Sequence, residues 1–243
     1  MSNGNVTMRD KTLNLQPKKI LPRLTKNSFE KTAWQVKNVV CGIDEVGRGC
    51  LAGPLVTAAV ILPSGKAHRM LRDSKTMTEA ERYKAYLWIK KHCFYGIGIA
   101  SNRVIDRHNI WQATLIAMQR AVTNLMAIAP QTPAAILVDA MPLKMHDSIY
   151  RSIPVHHFPK GEQKSSSIAA ASILAKVWRD ELITRMSYSF PGYALEEHKG
   201  YATKKHQTSL NDQHISLIHR ITFLKNEAQK KGELDEQQQQ RLC

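Results

Sequence analysis

No stretch of eighteen apolar residues occurs anywhere in this 243-residue chain, so it holds no candidate membrane-spanning helix. The amino-terminal MSNGNVTMRDKTLNLQPKK lacks the apolar centre of a secretory signal, which leads to the expectation of a cytoplasmic protein. Cysteine is scarce. Cys41, Cys50, Cys93 and Cys243 fall at no metal-ligand spacing and read as reduced thiols rather than a zinc motif or a disulfide framework. Acids are few as well, 20 against 35 Lys and Arg, giving a net charge of +15. Internal repeats are absent.

The positive excess is uneven. Residues 1–38 carry a net +6 and residues 199–231 a net +5, so the two flanks hold eleven of the fifteen charges. Basic flanks around an acidic centre suit a polyanion gripped by its phosphates, with a cation held by carboxylates. Solvated basic faces give the same balance, so charge supports nucleic acid without proving it. The length suits one large domain, or one domain with extensions, and a substantial core.

What is there centres on residues 38–62, NVVCGIDEVGRGCLAGPLVTAAVIL. Val39–Ile43 and Leu55–Leu62 read as buried strands, and the glycines with Pro54 mark a tight reversal between them. Asp44 and Glu45 then stand at a strand end, where desolvating them is costly unless a cation neutralises them.

Beyond this stretch, Thr78 and Glu81 form a capping box for a helix over 79–92. Residues 94–100 read as a third strand, which with the first two suggests an antiparallel meander. Trp111, Leu115, Met118, Val122 and Leu125 stripe a helix over 104–128 and read as core. Residues 134–138 form a buried strand ending at Asp139, and 150–158 a fifth. A helix over 165–186 carries Ile168, Ala171, Ala175, Trp178 and Leu182 on one face. The order predicts an α/β domain with a mixed sheet. A basic arm over 1–37 is expected to be flexible, with a short helix near 28–36 docking Phe29 and Trp34. Residues 230–243 read as a disordered tail.

Four acids, Asp44, Glu45, Asp139 and Glu162, stand at element ends. Oxygen ligands without accompanying His or Cys select hard cations such as Mg²⁺ or Mn²⁺, and two such ions can serve phosphodiester hydrolysis. Taken singly, each acid is more simply a cap or a surface charge.

Together, GIDEVGRGCLAGPLVTAAVIL, DSK at 73–75, LVDA at 137–140, KGEQKSSSIAAASILAKVWRD at 160–180, HKGYATKKH at 198–206 and HRITF at 219–223 resemble bacterial ribonuclease HII, in family order over roughly 38–224. The resemblance implies a ribonuclease H-like fold: a mixed five-stranded sheet flanked by helices in a catalytic core over 38–190. A basic helical C-terminal region over 191–229 would complete the substrate groove. It implies Asp44, Glu45 and Asp139 as metal-binding carboxylates. Glu162 is a departure, since the family has Asp after Lys-Gly. Gly47, Arg48 and Gly49 match the motif that reads a ribose 2′-hydroxyl through the backbone, and Tyr201 the tyrosine at the RNA-to-DNA junction. Lys75, Arg48 and Lys164 are candidates for phosphate contacts, while Asp180 reads as structural, pairing or capping near Arg179.

The implied activity is a two-metal endoribonuclease, using Mn²⁺ or Mg²⁺. It would cut the RNA strand of RNA/DNA hybrids and incise 5′ to single ribonucleotides in duplex DNA. The expected partner is nucleic acid, with no membrane, and the expected state a monomer. The alternatives are a ribonuclease HIII-like enzyme, disfavoured by the short polar arm and the Gly-Arg-Gly motif, and a non-catalytic hybrid-binding protein. Gln213–Ile218 resembles a sliding-clamp-binding peptide, but Leu217 and Ile218 are expected to pack in the core.

Overall fold

Val40–Val46 (β1) and Leu55–Ile61 (β2) are the two apolar runs beside the glycine turn, and they pair antiparallel. The computed structural model describes residues 25–65, 67–145 and 149–225. Phe94–Ala100 (β3) pairs antiparallel with β2, completing the expected meander. Ala135–Asp139 (β4) lies parallel to β1, and Val155–Phe158 (β5) parallel to β4. The order is β3-β2-β1-β4-β5, so β1 is central and its C-terminal end lies beside that of β4. Burial on both faces explains why β2 is apolar apart from Thr57, whose hydroxyl donates to Gly98 O at 3.3 Å.

The helices are α1 (Ser28–Gln35), α2 (Glu79–His92), α3 (Asn102–Met126), α4 (Gly161–Lys164), α5 (Ser166–Ser187), α6 (Leu195–His198) and α7 (Lys204–Gln213). Met118, Ala121, Val122 and Leu125 of α3 pack one sheet face with Cys41 and Ile43. On the other face α2 and the Ala-rich start of α5 pack against Val56, Ala58 and Val60. Side chains alternate along a strand, so Gly42 and Asp44 both face α5. A methyl at Gly42 would come within 2.1 Å of the Ser167 carbonyl carbon, so this glycine lets α5 lie directly on β1. That contact brings the middle of α5 over Asp44.

Several local expectations need correction. β5 begins at Val155 rather than at residue 150, because 149–152 form turns and Pro154 has no N–H for a ladder. α3 breaks at Asn109 (φ 64°, ψ 166°), whose Oδ1 accepts from Gln112 N at 3.1 Å and starts a new helical segment. The break turns Trp111 outward, 44% exposed, while Met118, Val122 and Leu125 keep the buried stripe. In α5, Ile168, Ala171 and Ala175 are buried, but Arg179 and Ile183, rather than Trp178 and Leu182, continue the buried face.

The capping box is present: Thr78 N donates to Glu81 Oε2 at 2.9 Å and Glu81 N to Thr78 Oγ1 at 3.2 Å. Within residues 25–37 the expected short helix is present as α1. There α1 docks through Phe29, stacked on Phe158 at 5.9 Å, and through buried Glu30, which accepts from Ser165 Oγ and Ser167 N at the start of α5. Residues 1–24 and the tail expected over 230–243 lie outside the described residues.

Candidate active site

The parallel pairing of β1 and β4 brings Asp44, Glu45 and Asp139 to one end of the sheet, and α4 adds Glu162. All four line a cavity of about 330 Å³ together with Asp73, Ser74, Lys75, Ser172, Lys176 and Tyr201. Local bonds fix part of the set. Glu45 N donates to Asp44 Oδ1 at 2.8 Å, Gly161 N donates to Asp139 Oδ1 at 2.8 Å, and Arg48 Nη1 reaches Glu45 Oε1 at 3.4 Å. The second oxygens of Glu45 and Glu162 are buried with no hydrogen-bond partner.

Crowding shows in the acidities. Burial, then the charges of Glu45 and Asp139, pushes the Asp44 carboxyl well above its usual range, against a hydrogen bond from Ser172. Burial pushes Glu45 up to about 7, with Arg48 opposing and Asp139 adding to the rise. Glu162 is also raised by burial. Orphaned carboxylate oxygens and raised acidities are what a cation would relieve, and an all-oxygen set matches Mg²⁺ or Mn²⁺. Among the described residues no three His, Cys, Asp or Glu side chains already converge on one point.

The Gly47-Arg48-Gly49 turn follows directly from β1. Gly47 has φ +89°, and a methyl there would meet Arg179 Nε at 2.3 Å, so the fold itself demands glycine. Gly49 differs: its φ is not left-handed, it is exposed, and nothing lies within 4 Å of where a methyl would stand. Residues 50–53 form the middle of a small antiparallel ladder, bridged by Cys50 to Tyr201 and by Ala52 to His219. Leu51 N donates to Gly200 O at 2.8 Å, and Arg220 N to Leu51 O at 2.8 Å. The ladder sets Tyr201 at the cavity wall beside the turn, with Lys176 Nζ 5.5 Å from its ring centre.

Of the residues expected at the site, Lys75 and Tyr201 line the cavity with the four acids, and Arg48 reaches it through Glu45. Lys164 does not. Its ammonium lies 5.2 Å over the Phe158 ring, because α4 is a single turn that directs Glu162 and Lys164 to different sides. Asp180 is paired, as expected of a structural acid, with Lys176 at 3.0 Å, while the neighbouring Arg179 turns inward. Ile218 is buried as expected, but Leu217 is 75% exposed.

Sequence reading missed Ser172 and Lys176. They stand four apart on α5, on the face that Gly42 draws onto β1, and that spacing was a usable signal. It also gave no role to two histidines behind Tyr201. His219 Nδ1 accepts from Ser216 N at 3.1 Å, so His219 Nε2–H donates to His206 Nε2 at 3.1 Å, and His206 Nδ1–H to Tyr201 O at 2.9 Å. Burial keeps both neutral and lowers His219 to about 4, with His206 adding to the effect. No spacing in the sequence announces this relay.

The acids stand near the ends of the central strands of a five-stranded mixed sheet, and the same ribonuclease H-like fold recurs in solved type 2 ribonucleases H. The family model for ribonuclease HII matches residues 41–226. A ribonuclease HII of Levilactobacillus brevis is 44% identical over 196 residues, covering 80% of this chain and 72% of that protein. Among solved structures, the ribonuclease H2 of Pyrococcus horikoshii OT3 superposes with a TM-score of 0.64 at 23% identity, over 76% of this chain and 93% of that one. A Bst-RNase HIII solved in complex with Mn²⁺ superposes at 0.55 and 22% identity, over 76% and 67%. The chain belongs to the ribonuclease HII family, and so is a type 2 ribonuclease H.

Proposed function

We propose that the protein is an endoribonuclease that hydrolyses the RNA strand of RNA/DNA hybrids and incises 5′ to single ribonucleotides embedded in duplex DNA. The products would be 5′-phosphate and 3′-hydroxyl ends. The observation that carries this reading is the cavity that gathers Asp44, Glu45, Asp139 and Glu162, with two carboxylate oxygens buried and unpartnered. Asp44 and Asp139 would hold two divalent ions, with Glu45 and Glu162 assisting one each. Once bound, Mg²⁺ or Mn²⁺ would supply an activated water and charge stabilisation for the leaving oxygen. The Mn²⁺ in the related Bst-RNase HIII supports this class of cation.

The chain's own groups do the rest. Gly49 is bare for no reason internal to the fold, which supports a ligand coming close to the turn. A ribose would meet main-chain amides there, and its 2′-hydroxyl distinguishes RNA from DNA. Tyr201 would pack on the neighbouring deoxyribose, while Lys75 and Lys176 would take phosphates and so orient the duplex without reading bases. No helix among the described residues is long and apolar enough to cross a membrane, and buried Cys41 and Cys50 are free thiols. Both features suit a cytoplasmic enzyme.

The test is a cleavage assay on a hybrid and on a DNA duplex with one ribonucleotide, with Mg²⁺ or Mn²⁺. Both should be cut, the second 5′ to the ribonucleotide. Asp44→Asn should bind the hybrid and leave it uncut; undiminished cutting would remove Asp44 from the chemistry.

A further inference from the structure

Two guanidinium groups, Arg179 and Arg220, are fully buried directly behind the reading turn, and neither forms a salt bridge among the described residues. Buried charges without an opposite partner are costly, so what they hold needs explaining. Arg220 donates only to carbonyls: Nη2 to Gly47 O at 2.7 Å and Gly53 O at 2.9 Å, Nη1 to Arg48 O at 2.9 Å, and Nε to Gly53 O at 3.1 Å. Arg179 serves the outer side of the same ladder, donating to Pro54 O at 2.9 Å, Lys199 O at 2.8 Å and Ala52 O at 3.2 Å. Its guanidinium also lies 5.8 Å from the Tyr201 ring centre. Burial lowers Arg220 to about 10, which leaves it charged at neutral pH.

The geometry has a directional consequence. A trans peptide is planar, with its C=O and N–H pointing opposite ways. Drawing Gly47 O inward turns Arg48 N–H outward, and drawing Arg48 O inward turns Gly49 N–H outward. The outward side is where Gly49 leaves open space. Only a planar fork with several donors can hold these carbonyls at once; an ammonium is a single point.

We propose that Arg220 is a positioning residue for ribose recognition. From the far end of the chain it fixes the two peptide planes of the Gly47-Arg48-Gly49 turn, so that their amides face a ribonucleotide's 2′-hydroxyl. Arg179 holds Gly47 from behind and ties the turn to Tyr201, making the two sugar-contacting elements one unit. The proposal rests on the ribose-reading role argued above.

The test uses the full chain without divalent metal. Fluorescence anisotropy compares its affinity for a DNA duplex carrying one ribonucleotide with that for the same duplex in all-deoxy form. The wild-type chain should prefer the ribonucleotide, and Arg220→Lys, which keeps the charge, should reduce that preference by at least about tenfold. Its affinity for the all-deoxy duplex and its circular dichroism should stay as in the wild type. A folded Arg220→Lys with undiminished preference would overturn the proposal alone. A wild-type chain without preference would overturn the ribose-reading role and this proposal together. A merely structural residue would weaken both affinities in parallel. If Arg220→Lys does not fold, exchange of the Arg220 Nε–H in the wild-type chain decides: slower exchange with the ribonucleotide duplex than with the all-deoxy one supports the proposal, and equal exchange overturns it.

Discussion

Replacing Glu45 by Gln should stabilise the metal-free protein at alkaline pH and leave it unchanged in acid. Burial and Asp139 raise the folded-state acidity of Glu45 from 4.5 to about 7, with Arg48 opposing. Its side chain is 13% exposed, so solvent screening is modest. Below 4.5 the group is protonated whether the chain is folded or not, and its contribution to stability is fully present. As pH rises from 4.5 to 7 the unfolded chain ionises first, and the folded state loses about 3 kcal/mol, at roughly 1.4 kcal/mol per pH unit. Gln does not titrate, so the variant escapes this loss. The loss is already net of the opposing Arg48 charge, so the ion pair that the variant forgoes is not subtracted again. The net gain for Glu45→Gln is therefore about 3 kcal/mol at pH 8 and near zero at pH 4.5. Urea unfolding in EDTA at both pH values measures it, and the difference between variant and wild type cancels the buried histidines, which titrate the other way. Adding Mg²⁺ should restore wild-type stability at pH 8 more than that of the variant, since the cation replaces the missing counter-charge. A variant-minus-wild-type difference that is flat from pH 4.5 to 8, or that favours the wild type at pH 8, would refute the reasoning.

Two other substitutions separate recognition from folding. Gly49→Ala projects a methyl into open space, so the thermal midpoint should hold within a degree or two, while affinity for a ribonucleotide-containing duplex falls severalfold, about 1 kcal/mol or more. Unchanged binding would mean that nothing approaches the turn at that point. Tyr201→Ala should slow incision at a single embedded ribonucleotide more than cleavage of a long hybrid; equal losses in kcat/KM would remove its junction role.

The local sequence determined the strands, the capping box, the meander and the acids at strand ends, because apolar patterning, turn residues and caps act over a few residues. It located β2 and β4 closely, with Asp139 ending β4, whereas β1 runs three residues past the expected Ile43, so Asp44 and Glu45 lie within its last residues. The family resemblance rested on the same blocks. The tertiary structure decided which side chains meet. Parallel pairing of β1 and β4 brings Asp139 beside Asp44 across 95 residues of chain, and Gly42 seats α5 so that Ser172 and Lys176 join them. A one-turn helix sends Glu162 into the cavity and Lys164 onto Phe158, which no spacing foretells. Nothing local in the sequence marks Arg179 and Arg220 for burial, since lone arginines usually stay solvated. Only the ladder around residues 50–53 supplies enough carbonyls to make their burial tolerable, and it does so with partners more than 120 residues away. The chemistry was local and legible, whereas the support behind it depends on long-range contacts that hydrophobic pattern does not encode.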